Sequence, residues 1–181
     1  MTCGARTLDG LTVHATALAV GEAGLLVRGP SGAGKSSLAL ALIVRARAAG
    51  RFARLVADDR TILSAAGGRL LAGCPPPLAG LIEIAGHGIA AAERLPAVRL
   101  TLVVNLVAPA DVARMPEAEA REISLHGVPI AQMALAMRQS AHSALVLEAL
   151  LEGNGLTDRP LRAQRRRDKG SAPSRQQGDV R

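Results

Sequence analysis

The sequence predicts an α/β fold: a phosphate-loop core in which a mixed sheet with β-hairpins is flanked by helices. Three observations predict it. A short apolar run, residues 25–28, leads straight into Gly29-Pro30-Ser31-Gly32-Ala33-Gly34, and a segment of helical spacing follows. Apolar and β-branched runs recur in pairs separated by Gly-rich turns, the pattern of hairpins. Two stretches, 35–49 and 140–151, repeat apolar residues at helical intervals.

Taken in order, residues 11–20 read as a strand, Gly21-Glu22-Ala23-Gly24 as its turn and 25–28 as its hairpin partner. In 35–49, Leu38, Ala39, Leu42 and Ile43 share one helical face, and Gly50 is a good stop. Residues 53–57 form a short buried strand that Asp58-Asp59 ends. Residues 61–63 and 69–71 flank Ala65-Ala66-Gly67-Gly68 as a second hairpin, and Pro75-Pro76-Pro77 is a rigid connection. Residues 81–84 enter the turn Gly86-His87-Gly88. Residues 98–107 are the strongest strand candidate in the chain. Residues 123–125 and 128–131 make a third hairpin around His126-Gly127. The last helix, 140–151, carries Ala144, Leu147 and Leu151 inward and stops at Gly153.

With 49% apolar residues in 181, the chain can bury a substantial core, but it has one Phe and no Trp or Tyr. Ala, Leu, Val and Ile must fill that core. The aromatic platforms on which single-strand nucleic-acid binders stack bases are missing. Residues 159–181 hold six of the seven net positive charges, so the body is close to neutral and has no broad field for gripping a duplex. We therefore expect one domain over 1–156 and a basic, disordered tail over 157–181, too poor in apolar residues to offset its ordering entropy. That tail is either a solvated extension or an arm for an anionic partner. Cys3 and Cys74 are too few for a disulfide framework or a zinc site. With no signal sequence and no apolar stretch of spanning length, the expectation is a cytoplasmic protein without a membrane partner.

Gly29-x-x-x-x-Gly34-Lys35-Ser36 fits the Walker A pattern. Glycines let the backbone wrap an anion and turn successive N–H groups inward, and the helix starting near Lys35 adds the positive end of its dipole. Lys35 can reach the β- and γ-phosphates of ATP, and Ser36 can offer its hydroxyl to Mg²⁺. The candidate nucleotide-binding set is thus Gly29, Pro30, Ser31, Gly32, Ala33, Gly34, Lys35 and Ser36. The loop alone does not distinguish hydrolysis, transfer and sensing. Asp58-Asp59 ends the next strand, and strand ends beside such a loop define the site in an open α/β sheet. One carboxylate there could hold Mg²⁺ or accept the proton of an incoming hydroxyl, the alternative being a solvated Asp-Asp turn.

A family resemblance rests on the order of further segments. Thr12-Val13-His14 precedes the loop Gly-Pro-Ser-Gly-Ala-Gly-Lys-Ser. Leu55-Val56-Ala57-Asp58-Asp59, Leu81-Ile82-Glu83-Ile84-Ala85-Gly86-His87-Gly88-Ile89 and Arg114-Met115-Pro116 follow it. Over roughly residues 8–152 the chain resembles the catalytic domain of HPr kinase/phosphorylase, in the short form found in some Gram-negative bacteria. The resemblance implies a phosphate-loop core related to phosphoenolpyruvate carboxykinase. It implies phosphorylation of a serine of HPr, a carrier protein of the phosphotransferase system, with phosphorolysis as the reverse. It implies a homo-oligomer, typically a hexamer, without the regulatory N-terminal domain of the long form. Carried over by position, His14 would sit near the transferring phosphate and Lys35 would stabilise its charge. Ser36 and Glu83 would hold Mg²⁺. Asp59 would take the serine proton with Asp58 in support, and Arg114 would stabilise the phosphoryl group, with Arg121 as its competitor.

Three departures from the family pattern stand out. Ser37 occupies a position that is usually acidic. Ala85 replaces an arginine, with His87 two residues on. Met137-Arg138-Gln139-Ser140 is no match for the arginine-rich segment linked to phosphorolysis. They imply that kinase activity outlasts phosphorylase activity and that Mg²⁺ is held more weakly. Two other functions fit the loop: a small-molecule kinase on a similar core, and a nucleotide-sensing module whose tail binds nucleic acid. The first lacks its usual arginine-bearing lid here, and the second has only the tail for support.

Overall fold

The computed structural model describes residues 10–152. The basic tail, Cys3 and the domain limits at 1 and 156 lie outside the described residues.

The chain runs through β1 (Leu11–Val13), β2 (Ala15–Val20), β3 (Ala23–Arg28), α1 (Lys35–Ala48), β4 (Ala53–Ala57), β5 (Thr61–Ala66) and β6 (Arg69–Gly73). It continues through β7 (Leu81–Ile84), β8 (Gly88–Ala91), β9 (Ala97–Val107), β10 (Glu122–Leu125), β11 (Val128–Ala136) and α2 (Ser140–Glu152). The expected single strand over 11–20 is two strands, broken at His14. β1 pairs with β5, whereas β2 pairs with β3 and β4. The third hairpin's second strand extends to Ala136, because residues beyond 131 pair in parallel with β9, a partner no local pattern announces. β8, unforeseen, pairs with β7 as a separate two-stranded sheet.

The main sheet is mixed, in the order β1-β5-β6-β9-β3-β2-β4, with β11 and then β10 added beside β9. β9 is long enough to serve both neighbours on one edge: Ala97–Arg99 pair antiparallel with β6, and Leu102–Val107 pair in parallel with β11. Alternation along the central strands buries both faces. Leu25, Val27, Leu102 and Val104 face one cluster that α1 and α2 cover with Leu38, Leu42, Ala144 and Leu147. Leu26 and Val103 face a second cluster with Leu63, Leu70 and Ile130, contributed by the strands that curl over the other side. Small and branched aliphatic side chains do fill this core, and Phe52 is 48% exposed.

This topology positions the site. β3, β9 and β11 run parallel, and β4 runs with them because β2 is antiparallel to both β3 and β4. Their carboxyl ends therefore lie on one edge of the sheet. Gly29–Ser36 leaves β3 there, Asp58-Asp59 leaves β4, residues 108–121 leave β9 and residues 137–139 leave β11. His14, just ahead of β2, reaches the same edge, since Ala15 is in register with Arg28.

Candidate active site

The glycine-rich loop is built as the motif requires. Gly34 is the N-cap of α1 at φ 97° and Gly32 sits at φ 71°, left-handed conformations that side chains with a Cβ rarely adopt. Lys35 is 5% exposed, and its Nζ donates to the Gly29 and Pro30 carbonyls at 3.4 and 3.3 Å. Among the described residues this buried ammonium is held only by loop carbonyls and a distant carboxylate, and an anion in the loop would satisfy it.

The two neighbouring aspartates meet different partners around this loop. Asp58 is buried and accepts hydrogen bonds from Thr16 Oγ1 at 2.7 Å, from Ser36 Oγ at 2.9 and 3.0 Å, and from the Glu83 backbone N–H at 3.1 Å. Asp59 adopts φ 57°, a left-handed conformation that Asp tolerates better than most residues and that throws its side chain the other way. There its Oδ1 lies 3.1 Å from His14 Nε2 and 3.8 Å from Lys35 Nζ, with about half its side chain open to solvent.

The donor chemistry on the Asp58 side suits Mg²⁺. A hydroxyl and a carboxylate, both hard oxygen donors, already touch at the loop's exit. Among the described residues no cluster of three His, Cys, Asp or Glu forms a metal cage. A partial protein set is the usual arrangement where phosphate and water complete the shell. Glu83 meets Asp58 through its backbone amide, while its own side chain is exposed on β7.

The structure brings together His14, Gly29–Ser36, Asp58, Asp59 and the Glu83 backbone. Arg114 is exposed on the segment after β9, and among the described residues its side chain makes no hydrogen bond or ion pair. Arg121 Nε is tied within that segment to the Pro116 carbonyl at 3.2 Å. A polar chain fixes the segment's far end: Arg28 donates to Asn105, Asn105 to Gln132, and Gln132 to the Ala120 and Glu122 carbonyls. Sequence reasoning missed two residues here. Thr16, the single polar residue in the wholly buried β2, was a usable signal for a buried partner. Arg138, which touches the loop, gave none.

Strand, phosphate loop, helix and split carboxylates at one sheet edge define a phosphate-loop α/β domain of the kind that handles nucleotide phosphates. Residues 7–166 match the HPr Serine kinase C-terminal domain family, and the chain belongs to it. The HPr kinase/phosphorylases of Burkholderia cenocepacia (strain HI2424) and Paraburkholderia phymatum are each 33% identical over 148 residues, covering 76% of this chain and 44% of theirs. The chain thus spans less than half the length of these curated relatives. The solved HPr(Ser) kinase/phosphatase from Coxiella burnetii is similar in structure, with a TM-score of 0.67 and 26% identity over 81% of this chain and 91% of that one.

Proposed function

We propose that this chain is an ATP-dependent protein-serine kinase acting on HPr, the carrier protein of the phosphotransferase system, with phosphorolysis of the product as a weaker reverse activity. The observation that carries the proposal is the divergence of Asp58 and Asp59. Asp58 is buried against Ser36 and Thr16, whereas Asp59, about half exposed, meets His14 and Lys35.

Mg²⁺ would be held by Ser36 and Glu83, with Asp58 beside both, and would neutralise charge on the phosphates of ATP. Asp59 accepts the proton of the HPr serine hydroxyl as the serine oxygen bonds to the γ-phosphorus. The bond to the β–γ bridging oxygen breaks and ADP leaves. Lys35 follows the charge on the transferring group, His14 orients Asp59, and Arg114 reaches the phosphoryl group from the segment after β9. In phosphorolysis Asp59 returns the proton to the serine oxygen as inorganic phosphate takes the phosphoryl group and becomes pyrophosphate. The same reading carries a catalytic domain over 1–156, a homo-oligomer of hexameric type and a cytoplasmic setting. Among the described residues no helix is long and apolar enough to cross a membrane.

The test is incubation with ATP, Mg²⁺ and purified HPr, followed by mass spectrometry of HPr. Phosphate on a serine is the expected result. Unmodified HPr under conditions where ATP binds overturns the proposal.

A further inference from the structure

Arg138 lies in the short connection between β11 and α2, outside the loop motif and unassigned by it. Its backbone takes φ 61°, unusual for a residue with a long side chain. In that conformation it grips two consecutive carbonyls of the phosphate loop. The Arg138 backbone N–H donates to the Ala33 carbonyl at 2.8 Å, and its Nε donates to the Gly32 carbonyl at 3.4 Å. The connection is itself anchored, since the Met137 N–H donates to the Val107 carbonyl at the end of β9.

We propose that Arg138 is a positioning residue for the phosphate loop, one that holds the loop's turn and presets the Gly34 N–H for a polyphosphate. The inference rests on the nucleotide reading of the site. A trans peptide is planar, with its C=O and N–H antiparallel. Fixing the Ala33 carbonyl on the Arg138 side therefore fixes the Gly34 N–H on the opposite side. Fixing the Gly32 carbonyl holds the preceding plane, whose Ala33 N–H closes the turn onto the Pro30 carbonyl at 3.2 Å. A glycine-rich loop pays heavily in conformational entropy to order around an anion. A clamp that orders it beforehand lowers that cost, and the gain falls on ligands whose phosphates the loop holds.

The test compares Mg²⁺–ATP, pyrophosphate and AMP binding by calorimetry in the wild type, Arg138→Asn and Arg138→Lys. Asparagine tolerates the left-handed backbone and keeps the N–H, so Arg138→Asn removes only the side-chain grip. The expected result is about 3- to 10-fold weaker binding of ATP and pyrophosphate, the worth of one hydrogen bond. AMP affinity and the ligand-free melting temperature stay unchanged, and Arg138→Lys recovers part of the loss. Wild-type affinities for ATP and pyrophosphate in Arg138→Asn overturn the proposal. So does an equal loss for AMP accompanied by a lower melting temperature, which marks general damage. Failure of the wild type itself to bind ATP overturns the nucleotide reading, and this inference with it.

Discussion

His14 Nε2 stands 3.1 Å from Asp59 Oδ1, although 45 residues separate the two in sequence. The contact exists because β2 and β4 are neighbours, so the residue before one strand meets the residues after the other. A half-exposed carboxylate oriented by an imidazole, and within reach of an ammonium, is well placed to receive a proton from a hydroxyl.

Asp59→Asn should therefore lower phosphoryl transfer to HPr by about 10²- to 10⁴-fold, the usual worth of a positioned base, while ATP still binds. His14→Ala should cost less, roughly 10- to 100-fold, the worth of a hydrogen bond to a charged group. Single-turnover transfer with labelled ATP measures both. A fully active Asp59→Asn enzyme refutes the assignment of the base.

Asp58 should matter to stability as well as to metal. Asp58→Ala leaves Thr16, Ser36 and the Glu83 amide without their shared acceptor, and should cost about 3 kcal/mol. Urea denaturation would register this as a lower midpoint at unchanged slope. Ser36→Ala removes one donor only. It should raise the Mg²⁺ concentration needed for half-maximal activity more than it lowers stability.

The forward and reverse reactions should differ. Met137-Arg138-Gln139-Ser140 does not supply the arginine-rich segment linked to phosphorolysis, and Ala85 stands where the family pattern has arginine. Incubating Ser-phosphorylated HPr with the protein and inorganic phosphate should release pyrophosphate far more slowly than the kinase direction proceeds. Rapid pyrophosphate formation contradicts this.

Cys74 should behave as a poorly reactive thiol. Burial pushes its pKa up, with Asp58 adding to the shift and Arg94 opposing it. Less thiolate at neutral pH means slower alkylation than in the unfolded chain. The sign for stability follows from proton linkage. The folded state keeps the thiol proton to higher pH than the unfolded state. Stability from this group is therefore complete below the ordinary thiol range and declines as pH rises through the raised folded value. Iodoacetamide labelling with peptide mass spectrometry checks the first point, and denaturation midpoints from pH 8 upward check the second. Faster labelling of Cys74 in the folded than in the unfolded chain rules the account out.

Local pattern carried much of the fold. The glycine-rich loop between an apolar run and a periodic helix was legible because its chemistry is confined to eight consecutive residues. The hairpins were legible because Gly-rich turns flank apolar runs. What could not be read was pairing between distant segments. The break at His14 arises because β1 and β2 choose different partners, and the extension of β11 to Ala136 depends on β9 lying alongside. In the site, the acidic pair was visible, but its split was not. That split depends on a left-handed backbone at Asp59, which Asp permits and sequence does not announce. The approach of Arg138 to the loop is hidden for the same reason. Arg114 was proposed by position alone, and no contact among the described residues ties it to the loop.

The parallel pairing of β3 with β9 has a kinetic and thermodynamic consequence. It brings Arg28 against Asn105 across 77 residues, so the strand that launches the loop has one local partner, β2, and one drawn from a distant part of the chain. Contacts of such long range form late and slowly. A ligand that fills the loop binds the folded molecule and not the unfolded chain. A ligand at a hundred times its dissociation constant should then protect the whole domain by about 2.7 kcal/mol, and hydrogen exchange should slow in β9 and β11 as well as beside the loop.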